Sequence, residues 1–330
     1  MTSVPASDHD SIPVIDIGPL RDGSDPLLVA RQLHRASHDI GFLYVRNHGL
    51  DADLLGQART QAMAFFRQSL ADKQALGISD KHRGYLAMGG ARMQDNEQPD
   101  LKESFIWGHE DQHGQVPEDH ALRGANRWPA NMPDLRTTAL GFASLADRLA
   151  RHLLEGFALG LGLAPDFFLT SSSNPLSRAA FVYYPPQPAE QAATRFGVAA
   201  HTDFGMLTIL CQDDVGGLQV QDAGGRWLDA PPIADTLVIN VGDLLARWTG
   251  NIYRSTPHRV INRSGRERLS LVLAFDPDPD TLVDPRQIVR DQAAPADAPI
   301  KVGDYLQWRF GKSFAYRAEP TKHGSVAATR

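Results

Sequence analysis

Apolar and polar positions follow two different periods along this chain, and the period changes near Arg178. Before it, apolar residues recur at intervals of three and four, which predicts three amphipathic helices, over residues 25–40, 51–69 and 134–160. Two short apolar runs, at 13–17 and 41–45, are typical of β-strands. After Arg178, short β-like runs are separated by turn signals such as Gly224-Gly225. This second half predicts a jelly-roll or another antiparallel barrel.

The stretches between these elements complete the predicted organisation. Residues 71–130 read as loop-rich chain that wraps the barrel, 276–298 as a polar loop, and the residues from Pro320 as a flexible tail. We therefore expect a mainly β protein with flanking helices. An N-terminal α/β region, residues 1–130, would pack on a helix-backed jelly-roll core, residues 131–330, to form one compact unit.

Composition and charge narrow the class of protein. Hydrophobic residues make up 42% of the chain and charged residues 22%, which is ordinary for a globular protein. The net charge of −6 gives no reason to expect nucleic acid or an anionic membrane as a partner. The single Cys211 excludes an intrachain disulfide and a cysteine-rich metal site. With no signal-peptide pattern at the N-terminus, a cytoplasmic location is the expectation.

Candidate chemistry begins in the apolar run over residues 195–210, which reads as one β-strand. His201 and Asp203 are two residues apart, so in a strand they project from the same face about 6.6 Å apart. His258, on a later β-like run, is the best third ligand. Two imidazoles and one carboxylate suit non-haem Fe(II) that reacts with oxygen. Catalytic zinc uses the same ligand types, but the helical H-E-x-x-H of many zinc hydrolases is absent.

Two other histidine patterns in the chain could bind a metal. His109 and Asp111 repeat the H-x-D spacing, but they lie in a polar segment without apolar flanks, so we expect a solvated loop. His34 and His38 are four residues apart on a predicted helix. They lack a third ligand nearby, so we expect an exposed helix face.

A third motif lies ten residues beyond His258. Arg268 and Ser270 share one face of the predicted strand over residues 269–275, which places a guanidinium fork beside a hydroxyl. Such a pair is suited to binding a carboxylate.

The order H-x-D, His, R-x-S resembles the isopenicillin N synthase-like family of Fe(II)- and 2-oxoglutarate-dependent dioxygenases. The resemblance covers most of the chain, and further motifs similar to that family occur in the same order. They are Ile12-Pro-Val-Ile-Asp16, Gly41-Phe-Leu-Tyr-Val-Arg-Asn47-His48-Gly49, Gly84-Tyr85, Asp100-Leu-Lys102-Glu103-Ser-Phe105, Asn126-Arg-Trp128-Pro129 and Tyr183-Tyr184-Pro185-Pro186.

The resemblance implies a double-stranded β-helix and an enzyme that uses Fe(II), 2-oxoglutarate and O2. It implies that Arg268, Ser270 and Tyr184 hold 2-oxoglutarate. A small organic substrate would be hydroxylated, desaturated or cyclised, with release of succinate and CO2. Val182 stands where many relatives have an asparagine, so one polar contact of the family is missing here.

Two further interpretations remain open at this level. An iron oxidase of the isopenicillin N synthase type works without 2-oxoglutarate, and Arg268 and Ser270 would then bind the carboxylate of the substrate. A non-catalytic metal or ligand sensor would keep the same ligands. Four residues near the motifs are candidates for substrate contact: Arg178, Phe196, Phe204 and Phe275.

Overall fold

A large sheet and a smaller sheet form the centre of the protein. The computed structural model describes residues 12–91, 99–110, 113–116, 119–187, 195–289 and 298–317. The large sheet has eight strands. In spatial order they are β1 (Val14–Asp16), β2 (Phe42–Arg46), β10 (Leu237–Val241), β7 (Leu207–Gln212), β12 (Arg268–Phe275), β5 (Arg178–Tyr184), β4 (Glu103–Gly108) and β3 (Gly84–Leu86).

The smaller sheet has four strands, in the order β6 (Val198–His201), β11 (His258–Val260), β8 (Leu218–Gln221) and β9 (Trp227–Asp229). The two sheets meet where the Phe42 ring of β2 lies 5.1 Å from the His258 ring of β11. A separate pair joins β13 (Leu282–Val283) to β14 (Ile300–Lys301). Apart from the parallel pair β1 and β2, every ladder among the described strands is antiparallel. The predicted jelly-roll core with flanking helices is confirmed.

The described residues contain seven α-helices: α1 (Gly18–Arg21), α2 (Pro26–Asp39), α3 (Ala52–Phe66), α4 (Leu70–Ala75), α5 (Pro133–Gly160), α6 (Asp243–Trp248) and α7 (Val302–Ser313). Two 3-10 turns, Pro285–Gln287 and Ala315–Arg317, complete the set. The side chains of Asp25 and Asp51 accept the Leu28 and Leu54 amides and so start α2 and α3. The three predicted helices correspond to α2, α3 and α5.

The long helix α5 covers the outer face of the large sheet and leaves the inner face free for chemistry. It packs on β7 and β12, where Leu271, Leu273 and Phe275 are buried. Because side chains alternate along a strand, Arg268 and Ser270 point to the opposite, inner face. The helix thus determines which side of β12 can carry a site.

Three stretches differ from the predicted elements. The loop-rich region over residues 71–130 also contains most of α4 and all of β3 and β4, and α7 lies in a stretch to which the sequence assigned no element. The single strand predicted over 195–210 is two strands, β6 and β7, with a bend at residues 202–206. Backbone bonds fasten this bend to the start of α6, from the Asp243 amide to the Asp203 carbonyl and from the Gly242 amide to the Met206 carbonyl.

The strands of the first 130 residues, β1 to β4, belong to the same sheet as the strands of the core. The division of the chain near residue 130 stays a prediction, and the predicted tail from Pro320 lies outside the described residues. None of the helices in the described ranges is long and apolar enough to cross a membrane.

Candidate metal centre

Two histidines and one aspartate converge at one edge of the smaller sheet. His201 ends β6 and His258 begins β11, and the two are direct partners in the ladder. Asp203 follows in the bend after β6, and its Oδ1 lies 3.7 Å from Nε2 of each histidine. Among the described residues, no other set of three metal-ligating side chains comes together in this way. These separations are within reach of a single ion.

Hydrogen bonds turn the free atom of each ligand toward the shared space. Nδ1 of His201 donates to the Ala199 carbonyl at 2.8 Å, which leaves the Nε2 lone pair available. Nδ1 of His258 lies 3.2 Å from the Thr256 carbonyl in the same arrangement. Backbone acceptors at Nδ1 are a common way to fix the tautomer and orientation of a metal-binding histidine.

The two oxygens of the Asp203 carboxylate have different surroundings. Its Oδ2 accepts hydrogen bonds from the Thr208 hydroxyl at 2.5 Å and the Asn240 amide at 2.8 Å. No hydrogen bond within the described chain reaches Oδ1, which is the atom that faces both imidazoles. One oxygen is thus held by the barrel while the other is left for an ion.

The charges of the group are those that a metal requires. Burial and the neighbouring His258 lower the pKa of His201, so this imidazole is neutral near pH 7. Burial alone would raise the pKa of Asp203. The two imidazoles and the bonds from Thr208 and Asn240 outweigh it and hold that pKa below its usual range. A neutral imidazole and an ionised carboxylate are the ligand forms that bind metal.

A second cluster lies on the inner faces of β12 and β5. Arg268 is buried; its Nε donates to the Gly216 carbonyl at 2.7 Å and its Nη1 to the Ser270 hydroxyl at 2.8 Å. Its Nη2 is buried without a partner in the described chain. The ring of Tyr184 lies 4.7 Å from the guanidinium carbon. A buried cationic donor without an acceptor is costly, so this cluster fits an anionic ligand such as a carboxylate.

We call the space along the inner face of β12 the cleft; it extends from Arg268 to Ala274, whose ladder partner Thr208 bonds Asp203. Val272 and Ala274 continue the inner face of β12, and both keep partial exposure although Leu271 and Leu273 beside them are buried. Leu210 and Ala180, on β7 and β5, are also partly exposed. Space on this face is therefore open over several residues and has mainly apolar walls.

The structure separates the four candidate residues for substrate contact into two pairs. Arg178 and Phe204 approach a common residue, Phe310 of α7: the Arg178 guanidinium lies 4.6 Å and the Phe204 ring 6.1 Å from the Phe310 ring. Arg178 also donates to the buried carboxylate of Asp276 at 2.6 Å. Since Phe204 follows Asp203 directly, this pair borders the metal centre.

Phe196 and Phe275 lie elsewhere. The Phe196 ring stacks on Arg259, which projects from β11 on the face opposite His258. Phe275 faces α5 on the outer side of β12, where its ring lies 5.6 Å from the Arg151 guanidinium. The structure does not bring either ring to the metal centre.

The other histidine patterns join no metal-binding group in the described chain. His34 stacks on His38 and lies 3.2 Å from the Tyr253 hydroxyl. His109 is exposed, and Asp111 lies outside the described residues. Glu110 between them is not solvated as expected. It accepts hydrogen bonds from Asn126, Trp128 and Arg136, which tie this segment to its surroundings.

Sequence reasoning missed Thr208, Asn240 and Phe310. Asn240 is the polar residue of a strand whose other members are aliphatic, Leu-Val-Ile-Asn-Val, and it is buried. A buried polar residue in such a strand needs a partner, and this signal was readable. Phe310 carried no comparable signal, because an aromatic residue on a helix is ordinary core.

Two family models match the chain. One, described as the N-terminal part of a non-haem dioxygenase in morphine synthesis, matches residues 12–131. The other, described as the 2OG-Fe(II) oxygenase superfamily, matches residues 175–277. The second range contains all three residues of the metal centre together with Arg268, Ser270 and Tyr184.

Related proteins cover nearly the whole chain. Homoarginine-6-hydroxylase 2-ODD-C23 of Glycine max is 34% identical over 300 residues, which is 85% of this chain and 89% of the relative. The 2-oxoglutarate-Fe(II) type oxidoreductase hxnY of Emericella nidulans is 32% identical and covers 94% of this chain and 92% of its own. A full-length Neurospora crassa protein, crystallised in complex with alpha-KG, superposes with a TM-score of 0.82 at 27% identity, over 93% of this chain and 98% of that one.

Proposed function

The chain belongs to the 2OG-Fe(II) oxygenase superfamily and is an Fe(II)- and 2-oxoglutarate-dependent oxidoreductase, and on this premise we propose that His201, Asp203 and His258 bind its iron. The observation that carries the proposal is their convergence, with Nε2 of both histidines 3.7 Å from Oδ1 of Asp203. The family, enzyme class and cofactors predicted from the sequence are confirmed. The oxidase, zinc hydrolase and sensor interpretations are set aside.

We propose that Arg268, Ser270 and Tyr184 bind the far carboxylate of 2-oxoglutarate. The unpartnered Nη2 of Arg268 supports this, because a carboxylate would supply the acceptor that it lacks. Ser270 accepts a bond from Arg268 and so can donate its own proton to the same anion. Tyr184 lies opposite Arg268 in the ladder between β5 and β12.

When bound, iron and 2-oxoglutarate supply the oxidising chemistry, in which O2, 2-oxoglutarate and a small organic substrate give succinate, CO2 and the oxidised substrate. The residues of this chain bind and orient the reactants. Thr208 and Asn240 hold Asp203 so that Oδ1 stays directed at the ion. We call Arg268, Ser270 and Tyr184 the clamp. The apolar side chains of Leu210 and Val272 limit water between the ion and the clamp.

For the substrate, we propose contacts with Arg178 and Phe204. Their approach to Phe310 beside Asp203 supports this choice. The Neurospora crassa protein was also crystallised with thymine, and the Glycine max relative is named for homoarginine. Both are small polar compounds, and Arg178 and the Phe204 and Phe310 rings offer the mix of polar and aromatic groups that binds such ligands.

An anaerobic titration tests the metal and 2-oxoglutarate assignments without a known substrate. Fe(II)-loaded protein should develop a weak visible absorption band when 2-oxoglutarate is added, and succinate should not produce it. Arg268→Ala should weaken binding by about 2–5 kcal/mol, because a carboxylate would be left unpaired in a buried site. Arg268→Lys should recover only part of the loss, because an ammonium cannot reproduce the planar fork.

Arg286→Ala is the matched control, because Arg286 is exposed and pairs with Asp284 at the surface. It should titrate like the wild type. An iron-loaded wild-type protein that gives no band at saturating 2-oxoglutarate would contradict the assignment. So would an Arg268→Ala variant with unchanged affinity.

A further inference from the structure

A second cation lies on the inner face of the barrel, and the metal and clamp assignments leave it without a role. Lys102 directly precedes β4. Its neighbour Glu103 points outward, where it binds Lys73 at 2.6 Å and the Tyr85 hydroxyl at 2.7 Å. By alternation Lys102 points inward, on the same face as Ser104. Its side chain is only 13% exposed.

The ladder places Lys102 beside the proposed clamp. Glu103 is opposite Tyr183 in the antiparallel β4–β5 pair, so Lys102, one residue before Glu103, lies beside Tyr184. Tyr184 is in turn opposite Arg268. The inward row across these three strands therefore runs from Lys102 through Tyr184 to Arg268.

Hydrogen bonds also connect the segment around Lys102 to β6, the strand that carries His201, and to the residues just before it. Asp100 Oδ1 accepts the Ala199 amide at 3.1 Å, and the Ala199 carbonyl accepts Nδ1 of His201. The Leu101 amide donates to the Phe196 carbonyl at 3.1 Å. Lys102 is thus placed between the histidine end of the cleft and the clamp end.

Within the described residues, Lys102 has one charged partner and no side-chain hydrogen bond shorter than 3.5 Å. Its nearest acid is Asp100, whose Oδ2 lies 3.6 Å from the Lys102 ammonium. This separation is an ion pair without a hydrogen bond, and Asp100 Oδ2 has no hydrogen-bond partner in the described chain. An ammonium carries three donors, so Lys102 can bind further acceptors besides Asp100. Lys102 is therefore suited to an acceptor that enters the cleft, as is Nη2 of Arg268.

We propose that Lys102 binds the carboxylate of 2-oxoglutarate that lies next to the keto group, while Arg268 binds the far one. The inference rests on the proposed function of the cleft and extends it to a residue outside the R-x-S clamp. It also accounts for Val182: the polar contact that an asparagine would supply from β5 is replaced by a cation from the neighbouring β4. A dianionic ligand would then meet one cation at each end.

Two keto acids distinguish the two cations. 2-Oxopentanoate has the same length as 2-oxoglutarate and the same keto-acid end, but a methyl group replaces the far carboxylate. In anaerobic titrations of the iron-loaded protein, Lys102→Met should weaken both acids by a similar factor of about ten to a hundred, the range for one hydrogen bond to a charged group. Arg268→Ala should weaken the binding of 2-oxoglutarate and leave the binding of 2-oxopentanoate nearly unchanged.

Three variants separate binding from a structural role. Lys301→Met, which removes an exposed lysine paired with Asp280, should titrate like the wild type. Lys102→Arg should recover part of the affinity for both acids. The double variant Asp100→Asn/Lys102→Met removes both charges of the pair. If Lys102 only neutralised Asp100, this variant would bind both keto acids normally. We expect it to bind them as weakly as Lys102→Met.

The outcomes are distinct from those of the clamp test. If wild-type protein gives the band and Lys102→Met binds both acids normally, the role of Lys102 is overturned while the proposed function stands. Loss of 2-oxoglutarate affinity alone would move Lys102 to the far carboxylate and overturn the assignment. Full recovery in the double variant would do so as well, in favour of a structural pair.

Discussion

At the scale of single residues, the clearest feature is how the two oxygens of Asp203 are used. One oxygen is held by Thr208 and Asn240, and the other faces both histidines. These partners come from β7 and β10, so the orientation of the carboxylate depends on the large sheet although both histidines lie on the small one. Both supporting residues bond Oδ2 and not the oxygen that faces the histidines.

Removal of this support should lower iron affinity while the three ligands stay in place. We expect Thr208→Val and Asn240→Leu each to weaken Fe(II) binding by about 10–100-fold, the usual effect of losing a residue that orients a metal ligand. Competition with a coloured chelator measures it. Thr236→Val, which removes a hydroxyl bonded only to the Ile233 carbonyl, is the control. Unchanged iron affinity in both site variants would show that Asp203 needs no such support.

The sequence indicates the candidate ligand residues more directly than their surroundings. His201, Asp203 and Arg268 are recognisable because their spacing is short and local. Asn240 and Lys102 act across strands that are distant in the sequence, so their role depends on which strands become neighbours. The sequence indicates Phe196 and Phe275 as substrate contacts only through their proximity to the motifs. The side to which each ring points depends on strand alternation and on the helix behind the sheet.

At the scale of elements, the bend between β6 and β7 decides where Asp203 lies. A continuous strand would have kept Asp203 in the ladder, whereas the bend releases it toward both histidines. The bend is tightly packed: a Cβ added at Gly205 would lie 2.2 Å from the side-chain Oδ1 of Asp276 and 3.2 Å from the Phe275 carbonyl oxygen. The apolar pattern over residues 195–210 is the same for one strand or two. The break could not be predicted because its cause, the packing of Asp276 and of the start of α6, is non-local.

Gly205→Ala tests this bend. The added methyl group would have to displace the buried Asp276 and its partner Arg178, so we expect unfolding to become easier by about 1–3 kcal/mol, as in other overpacked cores. Urea unfolding of the protein measures the change. Gly56→Ala is the matched control: it lies on the exposed face of α3 with no atom near the added methyl group, and should stabilise by about 0.5–1 kcal/mol. Equal stability of the Gly205→Ala variant and the wild type would argue against a tight bend.

At the scale of the whole molecule, one sheet joins strands of the first 130 residues to strands of the core. β2 pairs with β10, and β4 pairs with β5, so strands from the first 130 residues lie on both sides of the core strands. The helices α2 and α3 also pack on α5. The composition and pattern of the sequence predicted the helices α2, α3 and α5 and the β-rich second half, but not α4, α7, β3 or β4. They could not show that N-terminal strands extend the core sheet on both sides, because strand order is set by long-range pairing.

This arrangement predicts that residues 131–330 do not fold alone. Without β2 and β4, the strands β10 and β5 would each present an unpaired edge, and α5 would lose the cover of α2 and α3. Exposed edges of apolar strands pair with other chains, so the fragment should be insoluble or aggregated when expressed by itself. Co-expression with residues 1–130 should recover soluble protein that binds Fe(II), because the missing strands can pair in trans. Size-exclusion chromatography and urea unfolding measure both results. A monomeric 131–330 fragment with a cooperative unfolding transition would contradict this prediction. It would show that the core is an independent domain that folds without the N-terminal strands.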